Sequence, residues 1–193
     1  LVWSLPLGLL VYGGRVSRFL PLHWITQVYI SIMRGTPLIL QLMVVYFGPY
    51  YLFGIQISAS YRFYAVIIAF SINYAAYFAE IFRAGIQAVP RGQFEAARVL
   101  GMSGPLTMRR IILPQVLRIT LPPVSNETIN LVKDTSLVYI LAMNDLLRVA
   151  RTIVQREFDM TPFLIAGIFY LAMTAVLTYG FKKLEAHYGR YGN

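Results

Sequence analysis

The chain has 193 residues, of which 58% are hydrophobic and 13% are charged. Soluble domains have about 45–50% apolar and about 25% charged residues, so this composition indicates a membrane protein. With no cysteine and only two histidines, disulfides, thiolate catalysis and the common metal centres are excluded, and we expect neither a catalytic residue nor a metal site. The net charge of +9 is explained by basic cytoplasmic loops beside anionic lipid, so no nucleic-acid partner is expected.

Five long apolar segments follow one another along the chain. They cover residues 1–13, 36–53, 61–82, 119–143 and 162–181. The first is too short to cross a bilayer, so we expect it to be part of an incomplete helix. Because the segments lack the alternation of barrel strands, the sequence predicts an all-α, polytopic transmembrane helical bundle of about five spans.

Charge between these segments predicts the topology. Residues 14–35 and 83–118 are rich in arginine and should form cytoplasmic loops. Residues 54–60 carry no charge and residues 144–161 have nearly balanced charges, so both should be external loops. The basic tail returns to the cytoplasm.

The loop of residues 89–114 has the pattern of two short helices. Pro90 is expected to open the first helix and Gly101 to end it. Ser103 should cap the second helix, which would finish near Arg109 and Arg110. A basic, partly apolar element of this kind suits either a lipid surface or a groove in a partner protein, and its residues leave both open.

Polar side chains inside the spans are costly and therefore indicate function. At spacings of three and four residues they form one stripe on each of two helices: Asn73, Tyr77 and Glu80; Glu127, Asn130 and Asp134, with Lys133 beside them. We predict that the two stripes line a common path. The alternative is structural: Glu80 pairs with Arg83, Lys133 pairs with Asp134, and the asparagines join helices.

One stretch carries a resemblance to a known family. Its defining positions are Glu95, Ala96, Ala97, Gly101, Ile111, Leu113 and Pro114. This pattern resembles the EAA loop of ABC importer permeases. The segments Arg34 to Leu38 and Lys133 to Leu137 resemble one branch of that family, the polar amino acid permeases of the histidine and glutamine type.

The resemblance implies a type I ABC importer fold, with residues 1–193 as a single transmembrane permease domain and 89–114 as its cytoplasmic coupling loop. Glu95 to Gly101 would form the coupling helix, seated on a separate ABC ATPase subunit that binds ATP and Mg; this chain has no phosphate loop and would bind no cofactor. The polar stripes would then offer acceptors and a cation to an amino acid substrate during alternating access.

The resemblance also implies partners and a location. The partners are membrane lipid, a second permease copy or paralogue, and an extracytoplasmic amino-acid-binding protein. The location is the bacterial cytoplasmic (inner) membrane, as a multi-pass protein. Which amino acid is carried, and whether the permease pair is homomeric, is left open.

Two other functions are compatible with parts of the sequence. In an ion-coupled carrier or channel, Glu80, Glu127 and Asp134 would bind protons or sodium, and uptake would survive ATP depletion. An assembly subunit would tolerate neutral replacements at Asn130 and Asp134 without loss of uptake. The complete EAA pattern favours the importer over both.

Overall fold

The computed structural model describes residues 1–58 and 60–189 of the chain, and these contain helices and no strands. The all-α prediction is confirmed. Nine α-helices are present in the described ranges: α1 Ser4–Arg15, α2 Leu20–Gly35, α3 Leu38–Phe53, α4 Tyr61–Gln87, α5 Arg91–Val99, α6 Gly104–Thr107, α7 Leu113–Asp134, α8 Leu146–Glu157 and α9 Thr161–Gly189. A π turn, Met108–Ile112, precedes α7, and a 3-10 helix, Thr135–Leu141, follows it.

Helix α4 is the centre of the bundle and packs against α1, α2, α3 and α7. Its small and aromatic side chains form much of the main core, in which Phe70, Tyr74 and Phe78 belong to one buried cluster with Leu42 of α3. At the crossing with α7, a Cβ added to Gly85 would lie 2.2 Å from Cγ2 of Thr120. Only glycine allows these two helices to approach so closely.

Judged by length and hydropathy, fewer helices qualify as membrane spans than the five apolar segments predicted from the sequence. Among the described residues, α4 and α9 pass as spans, and the bent pair α2 and α3 counts as a third. Helix α1 has only 12 residues, which is too short for a span. Helix α7 is continuous, but Pro122, Pro123 and its polar stripe lower its mean hydropathy. The two spans also differ in burial, with 56% of the α4 window but 6% of the α9 window buried within the chain. Helix α9 is therefore peripheral.

The prediction of a loop over residues 14–35 is wrong, because most of that segment is helix α2. Pro21 lies in its first turn, and the helix ends where Gly35 and Thr36 precede Pro37, which disfavours helical backbone before it. The chain then turns by 111° into α3. We call this bend the elbow.

Two buried amides hold the elbow. The Asn73 amide donates to the Met33 carbonyl at 3.2 Å and to Oε1 of Gln41 at 2.9 Å. The Gln41 amide in turn donates to the Met33 carbonyl at 2.9 Å and to Oγ1 of Thr36 at 2.8 Å. Both side chains are less than 10% exposed, so these bonds replace water at the bend.

The predicted external loop of residues 144–161 also contains a helix, α8. Asp145 caps its start by accepting from the backbone N–H groups of Leu147 and Arg148, and Phe158 ends it with φ of +55°. Helix α9 follows after Asp159, whose carboxylate accepts from the Thr161 N–H at 3.0 Å; this bond lowers the pKa of Asp159 below its ordinary value. The balanced charge of residues 144–161 therefore belongs to an amphipathic helix, and not to the irregular loop that was predicted.

Candidate coupling helix and polar cleft

Helix α5 lies in the EAA segment, and its ends agree with the sequence prediction. Pro90 precedes its first turn, and Gly101 ends it with φ of +69°. The Gly101 N–H donates to the Arg98 carbonyl and the Met102 N–H donates to the Ala97 carbonyl, each at 3.0 Å. This is the Schellman pattern, which requires the left-handed conformation that glycine adopts at no steric cost.

The inner side of α5 is fixed to the base of the bundle. Phe94 packs against a buried cluster of Val89, Ile112 and Val116, which also holds Ile111. Ala97 is 1% exposed. A side chain larger than alanine at this position would push α5 away from its support.

The outer side of α5 is uncovered. Glu95 and Ala96 are exposed, and beyond them Val99 is 87% and Leu100 76% exposed. Leu113 and Pro114, the last EAA positions, are also exposed, at the start of α7. An apolar patch with a carboxylate beside it, on a rigidly held short helix, is suited to docking on another protein.

The second short helix of the EAA segment does not end near Arg110 as predicted. Instead α6, the π turn and α7 form one helical run from Gly104 to Asp134. Pro114 is the second residue after the π turn, whose wider hydrogen-bonding pattern accommodates a nearby residue without an N–H. The helix that follows α5 therefore continues into α7 without a break.

A polar cleft of about 550 Å³ opens between the end of α2, α4 and α7. Its lining includes Arg34, Tyr77, Glu80, Arg83, Gly85, Pro123 and Glu127. Three of the predicted pathway residues, Tyr77, Glu80 and Glu127, thus lie together in one cavity.

Glu80 is the centre of a charge cluster at this cleft. Its carboxylate accepts from Arg83 at 2.7 Å and lies 3.8 Å from a guanidinium nitrogen of Arg34 and 4.0 Å from one of Arg15. The pairing of Glu80 with Arg83, suggested by their spacing, is present. Since three cations surround one carboxylate, the cluster has an excess of positive charge.

Arg34 and Glu127 give the cleft two opposite charges. The Arg34 guanidinium lies 5.5 Å from the centre of the Tyr77 ring, and its side chain is 46% exposed. Glu127 lines the α7 side, and Asn130 follows it by three residues on the same helix. An amino acid zwitterion has a carboxylate and an ammonium, which match these two groups.

The other predicted pathway residues lie outside the cleft lining. Asn73 belongs to the elbow, and Asp134 accepts a hydrogen bond from the Tyr74 hydroxyl at 2.7 Å. Lys133 is exposed at the end of α7. The cation predicted from Lys133 is supplied at the cleft by Arg34 and Arg83 instead.

The cleft contains two arginines, Arg34 and Arg83, that the sequence analysis did not assign to the substrate path. Arg83 had a local signal, its i, i+3 spacing from Glu80. Arg34 had none, because only the elbow brings the end of α2 beside α4. Among the described residues, no three histidine, aspartate or glutamate side chains meet in a way that would hold a metal ion.

A bundle of apolar helices with a charged cleft and an exposed short helix at one end has the features of a membrane transport protein of the permease class. The family described as "Binding-protein-dependent transport system inner membrane component" matches residues 4–189. The chain belongs to this family and is a non-catalytic permease subunit, in which the EAA motif and the coupling helix are typical features.

Similar proteins fall in the same family. The arginine transport system permease protein ArtQ of Bacillus subtilis is 40% identical over 94% of this chain and 82% of its own length. The L-cystine transport system permease protein TcyB of the same organism is 37% identical over 98% of this chain and 80% of its own length.

Two solved structures have the same fold. A crystal structure of an amino acid ABC transporter with histidines has a TM-score of 0.87 and 36% identity, covering 96% of this chain and 86% of that chain. The MetNI methionine ABC transporter, in inward facing conformations, has a TM-score of 0.74 and 18% identity, covering 97% and 86%. The type I importer permease fold predicted from the sequence is confirmed.

Proposed function

We propose that this chain, as a single permease domain over residues 1–193, carries a polar amino acid across the bacterial cytoplasmic membrane in an ATP-driven importer. Relatives named as arginine, cystine and glutamine permeases support the substrate class. The observation that carries the mechanism is the uncovered outer side of α5, with Val99 and Leu100 exposed at one end of the bundle.

In this proposal α5 is the lever between a separate ATPase and the membrane helices. The ATPase binds ATP and Mg, and its cleft receives Glu95, Ala96 and the apolar patch. Because Phe94 and Ala97 fix α5 to the base of α7, movement of the ATPase passes to α7 and to the cleft it lines. Ile111, Leu113 and Pro114 form the stiff start of that connection.

The cleft is the proposed place for the substrate inside the membrane. Arg34 would bind its carboxylate, while Glu127 and the Tyr77 ring would receive its ammonium group. Glu80 would hold the two arginines in position. Asn130, three residues further along α7, would orient the Glu127 carboxylate.

A second permease copy or paralogue is needed in this proposal for a physical reason. Ionisable side chains at membrane depth are very costly against hydrocarbon. The cleft with Arg34, Glu80 and Glu127 is open on one side, so another bundle should close it. An extracytoplasmic amino-acid-binding protein would deliver the substrate at the opposite end from α5, near α8.

The test is uptake by the purified permease and its ATPase in proteoliposomes, with ATP enclosed and with no ion gradient. We expect uptake that requires ATP, and loss of copurified ATPase when Glu95 is replaced by arginine. Glu185→Arg, a charge reversal on α9, is the matched control and should retain the ATPase. Uptake driven by a proton or sodium gradient without ATP would instead support the ion-coupled carrier.

A further inference from the structure

Helices α1 and α2 are tied together by one arginine and one histidine. At the end of α1, the Arg15 guanidinium lies 2.9 Å from Nε2 of His23 and donates to Oε1 of Gln27 at 3.0 Å. The other ring nitrogen of His23, Nδ1, lies 2.6 Å from the backbone carbonyl oxygen of Arg15. Arg15 is therefore held at both its backbone and its side chain by the same imidazole, which is partly buried.

The partners of the His23 ring determine its tautomer. A guanidinium has only N–H donors, so Nε2 must accept the bond from Arg15. A carbonyl oxygen only accepts, so Nδ1 must carry the proton. Both bonds require the same neutral imidazole, with its proton on Nδ1 and a lone pair on Nε2. A second proton, on Nε2, would set one cationic N–H group against another, so protonation of His23 breaks its bond to the Arg15 side chain.

The charged groups around His23 come from three elements. On α1 the ring meets Arg15, and in the turn before α2 Arg18 is exposed and forms no ion pair in the described part of the chain. On α4, Glu80 is the carboxylate that Arg15 faces, and Arg83 is hydrogen-bonded to it. Further titratable groups where α1, α2 and α4 meet are Tyr12, Tyr29, Arg34 and Tyr77.

Arg15 connects this pair to the polar cleft. Its Nε lies 4.0 Å from Oε1 of Glu80, and a guanidinium nitrogen of Arg34 lies 3.8 Å from the other oxygen of the same carboxylate. At 4.0 Å Arg15 is not hydrogen-bonded to Glu80, so its bonds to α2 set its distance from that carboxylate. A small movement of Arg15 towards Glu80 would complete an ion pair and weaken the attraction of Glu80 for Arg34.

We propose that His23 is a proton-sensitive positioning residue that adjusts the cleft to the pH of the cytoplasm. The neutral ring holds Arg15 on α2, and the protonated ring repels it towards Glu80. Glu80 then attracts Arg34 less strongly, and Arg34 is released more readily to a substrate carboxylate. This inference rests on the substrate role proposed for Arg34. Glu80 lies towards the end of α4 that leads into α5, which is the cytoplasmic end by the positive-inside rule.

The protonation state of His23 can be measured without transport. The permease is labelled with ring-15N histidine, carries a tag that contains no histidine, and is studied by NMR with its unlabelled ATPase. Because the chain contains two histidines, His187→Gln assigns the signals of His23. At about pH 7.5 we expect a neutral ring with its proton on Nδ1, and proton uptake at Nε2 as the pH is lowered to about 5. A proton on Nε2 at about pH 7.5, or no uptake down to about pH 5, would overturn the proposal.

Uptake by proteoliposomes with enclosed ATP tests the consequence for the cleft. Only complexes whose ATPase faces the lumen are active, so the pH of the lumen represents that of the cytoplasm. Lowering it from about 7.5 to about 6 should reduce the KM for uptake about threefold, an effect of the size of a partly exposed ion pair. His23→Gln keeps an acceptor for Arg15 but takes up no proton, so this response should be absent, whereas the matched variant His187→Gln should retain it.

The comparison of these proteins isolates His23. A pH effect that arises in the ATPase is common to the parent and to both variants and cancels between them. An equal KM at the two pH values in the parent, or a response of the same size in His23→Gln, would overturn the proposal. Failure of the importer function is distinguishable, because uptake would then not require ATP at either pH.

Discussion

Helix α4 has two polar regions that are built in different ways. At the elbow, the neutral amides of Asn73 and Gln41 are buried and make hydrogen bonds of 2.8–3.2 Å to fixed backbone and side-chain atoms. At the cleft, Glu80 has three cations at 2.7, 3.8 and 4.0 Å, of which only the nearest is hydrogen-bonded to it.

This difference separates a rigid joint from a region that can rearrange. Breaking the elbow would leave buried polar atoms without partners, which is costly, so α2, α3 and α4 should move as one unit. At the cleft, Arg34 can leave Glu80 for a ligand carboxylate without exposing a buried unpaired group, because it is half-exposed. Variants at the joint should therefore change stability, and variants at the cleft should change transport.

The largest expected effect is at the close contact of α4 with α7. Gly85→Leu would place side-chain atoms where Thr120 already lies, at 2.2 Å from the added Cβ, so overpacking should destabilise the protein by about 3 kcal/mol or more. Thermal unfolding in detergent measures this. Gly13→Leu is the control, since nothing lies within 4 Å of its added Cβ, and equal melting temperatures for the two variants would contradict the packing described.

Next in size is the loss of an elbow amide. Asn73→Leu removes the donor to Gln41 and Met33 and should lower the free energy of unfolding by about 1–3 kcal/mol. Denaturant or thermal unfolding reports the change. Asn126→Leu makes the same replacement at an exposed position of α7 and should have little effect. A stable Asn73→Leu protein with impaired uptake alone would place Asn73 in the substrate path after all.

A cleft variant should show the opposite pattern. Glu127→Gln removes the negative charge that we assign to the substrate ammonium while keeping the size of the side chain. Losing a charged hydrogen bond should raise the KM for uptake about tenfold, with the melting temperature nearly unchanged. Measuring both in the same preparation is essential, because an unfolding shift as large as that of Asn73→Leu would contradict a transport role.

The smallest effect is expected at an ion pair outside both regions. Arg156 and Glu157 are 2.7 Å apart, but their side chains are 73% and 54% exposed. Glu157→Gln should change the free energy of unfolding by less than about 0.5 kcal/mol and leave uptake unchanged. A clear loss of uptake with normal stability would instead indicate that α8 contacts a partner.

Contiguous residues predicted the parts of the molecule that local chemistry determines. Pro90 and Gly101 define the ends of α5, and the spacing of Glu80 and Arg83 indicates their pairing. The elbow was not predictable in this way, because its bonds join Asn73 to Met33, which is 40 residues away in sequence. The same tertiary contact decides that Arg34 enters the cleft and that Asn73 does not.

Charge counting between apolar segments failed for a different reason. It cannot distinguish an irregular loop from an amphipathic helix, since both have balanced or basic composition, and so α2 and α8 were missed. Likewise, the second short helix was expected to end near Arg110, but the π turn Met108–Ile112 lets the helix continue into α7.

The central claim is that the outer side of α5 docks on a separate ATPase. The sequence contains no cysteine, and Leu100 is 76% exposed. Leu100→Cys therefore introduces a single accessible thiol, to which a photo-crosslinker can be attached within the purified complex. We predict a crosslink to the ATPase whose yield changes with ATP, and none from Phe158→Cys, which is as exposed but lies beyond α8. No ATPase crosslink from Leu100→Cys in an active complex, or equal crosslinking from both positions, would contradict it.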